Sequence, residues 1–75
     1  MSPTLPRVSG EEAVRALKHA GFVHVSTRGS HCKLRHQGRA RTAIVPLHRE
    51  LAIGTLASIL RQAGISAEEF RALLG

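Results

Sequence analysis

Three short alternating runs, residues 22–27, 30–36 and 39–45, are separated only by Arg28-Gly29 and Gln37-Gly38. Breaks this short cannot return the chain for a parallel strand, which takes a dozen residues or more, so the runs must pair as an antiparallel meander. In the first run Val23, Val25 and Thr27 fall on one side and Phe22, His24 and Ser26 on the other. A two-residue turn at Arg28-Gly29 sets Val25 opposite Cys32 and Val23 opposite Leu34, with Ser26 opposite His31 and His24 opposite Lys33. A three-residue loop or a bulge at Gly38 sets Leu34 opposite Thr42 and Cys32 opposite Ile44. The predicted covered face is therefore Val23, Val25, Cys32, Leu34, Thr42 and Ile44, and Pro46, which has no N–H for a ladder, ends the sheet.

Helices flank the meander. Ser9-Gly10-Glu11-Glu12 is a capping box that starts a helix at about Gly10, with Ala13, Val14 and Leu17 inward and Gly21 as its stop. After a connector from Leu47 to Ala52, a second helix runs over 53–63, carries Leu56, Ile59, Leu60 and Ala63 as its stripe, and stops at Gly64. Ser66-Ala67-Glu68-Glu69 repeats the box and opens a short helix with Phe70, Leu73 and Leu74 inward. Residues 1–7, with Pro3 and Pro6, read as an extended lead-in. The expected fold class is α+β: a three-stranded antiparallel sheet with helices on one face, α-β-β-β-α plus a short C-terminal helix, in one domain over 1–75. Such a small core leaves no room for an enclosed catalytic cleft.

Charge is local. Arg28, Lys33, Arg35, Arg39, Arg41 and Arg49 lie within positions 28–49, which hold no acid, while the rest of the chain balances. An unmixed basic patch is the footprint of polyanion binding; the plainer alternative, a face charged for solubility, is usually mixed in sign. The sequence has no Asp and no Trp or Tyr, and its Glu residues lie in helices or a linker. Carboxylate-held metal nucleases and aromatic stacking platforms are thereby disfavoured. One cysteine, Cys32, excludes an internal disulfide; its predicted place is the core face, as a small hydrophobe. The histidines lack zinc-ligand spacing, so no metal or other cofactor is expected. Without a signal-like N-terminus or a long apolar run, the expected setting is cytoplasmic, with no membrane association.

On the uncovered face, His31 has Ser26 opposite, Lys33 two residues along and His24 diagonally adjacent, with Arg35 and Arg41 extending the patch. Such a group suits RNA cleavage without metal. The 2′-hydroxyl is an internal nucleophile, so the protein need only take its proton with an imidazole and stabilise the phosphorane charge. DNA lacks that nucleophile. Arg28, Gly29, Ser30, Lys33, Arg35, Arg39, Arg41 and His48 are the candidate RNA-binding residues, His31 the candidate acid–base group and His24 its candidate helper. Two alternatives stand beside this: a non-catalytic RNA-binding module of the same fold, and a basic interaction domain docking an acidic partner. The first is weakened because residues 54–58, where duplex binders of this architecture place lysines, hold no base.

Gly29-Ser30-His31 after a strand, Val45-Pro46-x-His48 at the end of the sheet, the run from Gly54-Thr55-Leu56 through Gln62-Ala63-Gly64-Ile65-Ser66, and Glu69-Phe70 together resemble the HicA family of small toxins. The resemblance spans roughly residues 8–74. It implies a double-stranded-RNA-binding-domain-like fold, cleavage of mRNA, one essential histidine and neutralisation by a HicB-type antitoxin. The matching histidine is His31, so the antitoxin is expected to cover the His31 face; the expected partners are mRNA and that antitoxin, with no DNA binding by this chain alone. Cys32 and Ile53 depart from the family's usual residues without touching the proposed chemistry.

Overall fold

The computed structural model describes residues 5–75; part of the lead-in, residues 1–4, lies outside the described residues. The elements are α1 (Gly10–His19), β1 (Phe22–Arg28), β2 (His31–His36), β3 (Thr42–Pro46), α2 (Ile53–Ala63) and α3 (Ala67–Leu74). The strands form one antiparallel sheet in the order β1-β2-β3, giving the expected α-β-β-β-α arrangement plus a short helix.

Both capping boxes form. The Ser9 hydroxyl accepts from the Glu12 N–H while the Glu12 carboxylate accepts from the Ser9 N–H, and Ser66 and Glu69 repeat the exchange at α3. That contact holds the Glu12 carboxyl below its usual range, because the charged form accepts the Ser9 backbone N–H. Gly21 and Gly64 follow α1 and α2 at φ +102° and +71°, as expected of helix stops.

All three helices contribute to one core with one face of the sheet. Ala13, Ala16 and Leu17 of α1, Leu56, Ile59, Leu60 and Ala63 of α2, and Phe70 of α3 are buried with Cys32 and Leu34 of β2 and Ala43 and Val45 of β3. Residues 5–9 form no regular element, yet Val8 is buried and its carbonyl accepts the Leu51 N–H. The neighbouring Arg7–Glu50 ion pair is exposed and adds little to that tie.

The structure corrects the register at both hairpins. The first turn is Gly29-Ser30, with Gly29 at φ +57°, so Arg28 pairs with His31, Thr27 with Cys32 and Ser26 with Lys33. A bulge at Val25 then resets the ladder, pairing His24 with Leu34, Val23 with Arg35 and Phe22 with His36. One extra residue reverses the parity of all that precedes it, so Phe22 turns inward and Val23 does not. The inward ring meets His36 edge-on, with centroids 5.0 Å apart. Burying one phenyl group replaces the expected burial of Val23 and Val25.

At the second hairpin the turn spans residues 37–40, closed by the His36 N–H donating to the Arg41 carbonyl. It is one residue longer than expected, so Leu34 faces Ala43 and Cys32 faces Val45, and Thr42 and Ile44 point away from the helices. The turn is braced by His36, whose Nδ1 accepts from the Gly38 N–H at 3.0 Å and whose Nε2 lies 3.1 Å from the Ala20 carbonyl. The outer edge of β3 is also met from the helix side: the Ile44 N–H donates to Gln62 Oε1 at 3.0 Å.

Candidate nucleic-acid interface

His31 is the first residue of β2, directly after the glycine turn, and pairs with Arg28 on one side and Pro46 on the other. Directly opposed residues share a face, so the period of two fixes its company. Lys33 and Arg35 follow on β2, Ser26 and Val23 lie across on β1, and Ile44 and Thr42 lie across on β3. The covered side of β2 holds Cys32 and Leu34, both buried. The open side therefore presents a ridge of His31, Lys33 and Arg35, all exposed.

Ser26, Arg28, His31, Lys33 and Ile44 line a shallow cavity of about 320 Å³ on this open face. A phosphate group fits such a depression, whereas an enclosed substrate does not. The turn carrying His31 is stapled from below: the Leu47 N–H donates to the Ser30 carbonyl at 2.6 Å, and the Gly10 N–H donates to the His48 carbonyl at 2.8 Å. The N-terminus of α1 thus holds the exit of β3, and that exit holds the turn.

No hydrogen bond within the protein engages either ring nitrogen of His31, and none engages the side chain of Lys33 or Arg35, among the described residues. The Arg7–Glu50 ion pair involves none of these side chains. Unneutralised cations beside a free imidazole leave donors and a proton acceptor turned to solvent.

Not every expected residue joins the group. Arg28, Lys33 and Arg35 share the His31 face, with Gly29 and Ser30 forming the adjoining turn. His24 does not: it pairs with Leu34, on the side of the sheet opposite His31, and its Nε2 lies 2.7 Å from Thr27 Oγ1. Arg41 also leaves the patch, reaching the carbonyl of Arg61 at 3.5 Å near the C-terminal end of α2. Arg39 lies in the second turn, beside a hollow of about 380 Å³ lined also by Ala20, Phe22, His36, Glu69 and Leu73. That hollow is larger than the one at His31, but its imidazole is already engaged on both nitrogens. His48 lines a separate depression with Ser9, Glu11, Leu47 and Arg49. The register shifts that move His24 and Arg41 also expose aliphatic residues expected on the covered face: Val23, Val25 and Ile44 are 40%, 49% and 45% exposed.

No three His, Cys or Glu side chains come together as a metal-ligand group among the described residues. No helix among them is long and apolar enough to cross a membrane. A family model described as HicA toxin of bacterial toxin–antitoxin systems matches residues 10–65, from the start of α1 to just beyond α2. No curated protein matches the chain significantly.

Proposed function

Because the chain belongs to the HicA family, toxins of bacterial toxin–antitoxin systems, we propose that it is an endoribonuclease that cuts mRNA using His31 and no metal, and that a HicB-type antitoxin restrains it. The observation that carries the reading is the solvent-facing His31 imidazole, hydrogen-bonded to no protein group among the described residues and followed on one ridge by Lys33 and Arg35.

RNA lies across the open sheet face with a phosphate in the depression beside His31 and Lys33. Neutral His31 takes the proton of the 2′-hydroxyl as its oxygen bonds to phosphorus. Lys33, with Arg28 across the ladder, offsets the charge that builds on the equatorial phosphoryl oxygens. The bond from phosphorus to the 5′-oxygen breaks, that oxygen takes a proton from a water molecule that in turn takes the proton held by His31, and a 2′,3′-cyclic phosphate, a 5′-hydroxyl and neutral His31 result. Water serves in this step because His24, expected as a helper, lies on the other side of the sheet. Arg35, farther along the ridge, grips a neighbouring phosphate, so affinity falls steeply with salt.

The test is incubation of the purified chain in EDTA with an RNA and with its 2′-deoxy analogue. Cleavage of the RNA alone, lost in His31→Ala with the fold retained, is the expected result. Binding of RNA without cleavage would replace the nuclease with an RNA-binding module. Cleavage by His31→Ala at the wild-type rate would remove His31 from the chemistry.

A further inference from the structure

The open face carries more than charge. Val23 faces Arg35 across one ladder, Ile44 faces Lys33 across the other, and Val25 sits at the bulge; all three keep 40–49% of their surface exposed. Val23 and Ile44 are β-branched side chains interleaved with cations on a sheet face that no helix covers. Scattered exposed aliphatics need no explanation, but Val23 and Ile44 on the one face that also bears an unpaired imidazole and unpaired cations, with Val25 exposed at the adjoining bulge, form a composite surface.

Its two components suit different ligands. A phosphodiester chain is gripped through its charges and offers no aliphatic side chains to Val23 or Val25. A protein partner gains from both: carboxylates answer Lys33, Arg35 and Arg28, and apolar side chains desolvate the valines and the isoleucine. We infer that the exposed valines Val23 and Val25 form a contact surface for the antitoxin and not for RNA, so that aliphatic burial discriminates the inhibitor from the substrate. The inference rests on the toxin reading above and commits to an antitoxin segment that is acidic and studded with aliphatic or aromatic residues. Charge complementarity selects that occupant: no acid lies between positions 28 and 49, and the nearby cations have no partner within the protein among the described residues.

The bulge at Val25 is the device that creates this surface. Without it, an uninterrupted ladder from the Gly29-Ser30 turn would direct Val23 and Val25 inward and turn Phe22 and His24 outward in their place.

The experiment pairs two measurements on Val23→Ser/Val25→Ser: the dissociation constant for the HicB-type antitoxin of the same operon, and the rate of RNA cleavage in the absence of antitoxin. Burial of two half-exposed valines corresponds to weakening of antitoxin binding by roughly 30-fold, with RNA cleavage within about twofold of wild type. The salt dependence of the residual antitoxin binding should stay that of the wild type, because the ionic contacts are untouched. Circular dichroism and thermal melting establish that the variant is folded. Unchanged antitoxin affinity in the folded variant overturns the inference, as does an equal loss of RNA cleavage. If the wild-type chain forms no complex with that antitoxin, the docking inference falls too, while RNA cleavage by the same preparation leaves the nuclease reading standing.

Discussion

Gly10→Ala tests whether the staple beneath the candidate site is built as described. A Cβ at position 10 would lie 2.0 Å from the Pro46 carbonyl oxygen and 2.7 Å from Leu47 Cα. Both are backbone atoms, so no side chain can rotate aside. To reach even a 3.0 Å contact the start of α1 must move about 1 Å from the end of β3, a shift that core overpacking prices at roughly 1–3 kcal/mol. The same shift strains the 2.8 Å bond from the Gly10 N–H to the His48 carbonyl, whose loss costs about 1 kcal/mol. Better helix propensity returns at most about 1 kcal/mol. The net loss is about 2 kcal/mol, or a fall of about 8–16 °C in melting temperature for a domain of this size. Gly54→Ala is the matched control, since a Cβ there meets nothing within 4 Å, and it should leave stability unchanged or raise it by up to about 1 kcal/mol. Thermal unfolding followed by circular dichroism reads both. A Gly10→Ala protein that melts with or above the wild type would refute the close approach of α1 to the exit of β3.

Lys33→Ala should slow RNA cleavage about 100-fold, as expected for loss of a charge-stabilising donor, while Arg41→Ala stays near wild type because Arg41 reaches toward Arg61 instead; single-turnover rates on a short RNA compare them. Ser9→Ala should cost about 1 kcal/mol in a denaturant titration by removing the cap of α1. The Glu12 carboxyl is depressed in the folded state, so its contribution is present above the ordinary carboxylate range and is lost as pH falls through the folded value. Ser9→Ala keeps the backbone N–H that is the larger cause and removes only the hydroxyl, so the Glu12 carboxyl should rise part of the way toward its ordinary value and stay depressed, which a carbon-detected NMR titration follows. Replacing His36 with Ala removes the acceptor of the Gly38 N–H, and exchange of that amide should quicken by about tenfold or more while the amide of Leu34 stays protected.

Element order and ends were legible because their signals are local: a serine and a glutamate three residues on at each capped helix, and a glycine at each helix stop. The orientation of β2 was legible as well, since Cys32 and Leu34 alternate with His31, Lys33 and Arg35 and leave one assignment of faces. Its neighbours offered two. Val23 with Val25 competes with Phe22, and Thr42 with Ile44 competes with Ala43 and Val45. A bulge in one strand and one added turn residue decide between them, and neither leaves a mark in the period-two pattern. Residues whose place depends on β2 alone, His31, Lys33 and Arg35, fall where expected; His24 and Arg41, whose place depends on register, do not.

Gln62 governs the direction from which another molecule can approach. Its side-chain oxygen occupies the Ile44 N–H at the flank of β3, where an incoming strand would otherwise begin to pair. The opposite flank belongs to β1, whose regular spacing is broken at Val25. Neither border offers a long, even row of backbone donors and acceptors to zip against. A visitor must settle broadside, reading side chains rather than peptide groups, so recognition falls to the residues that point outward from the sheet. Sequence changes there can retune what is bound without disturbing the hydrogen bonds that hold the sheet itself together.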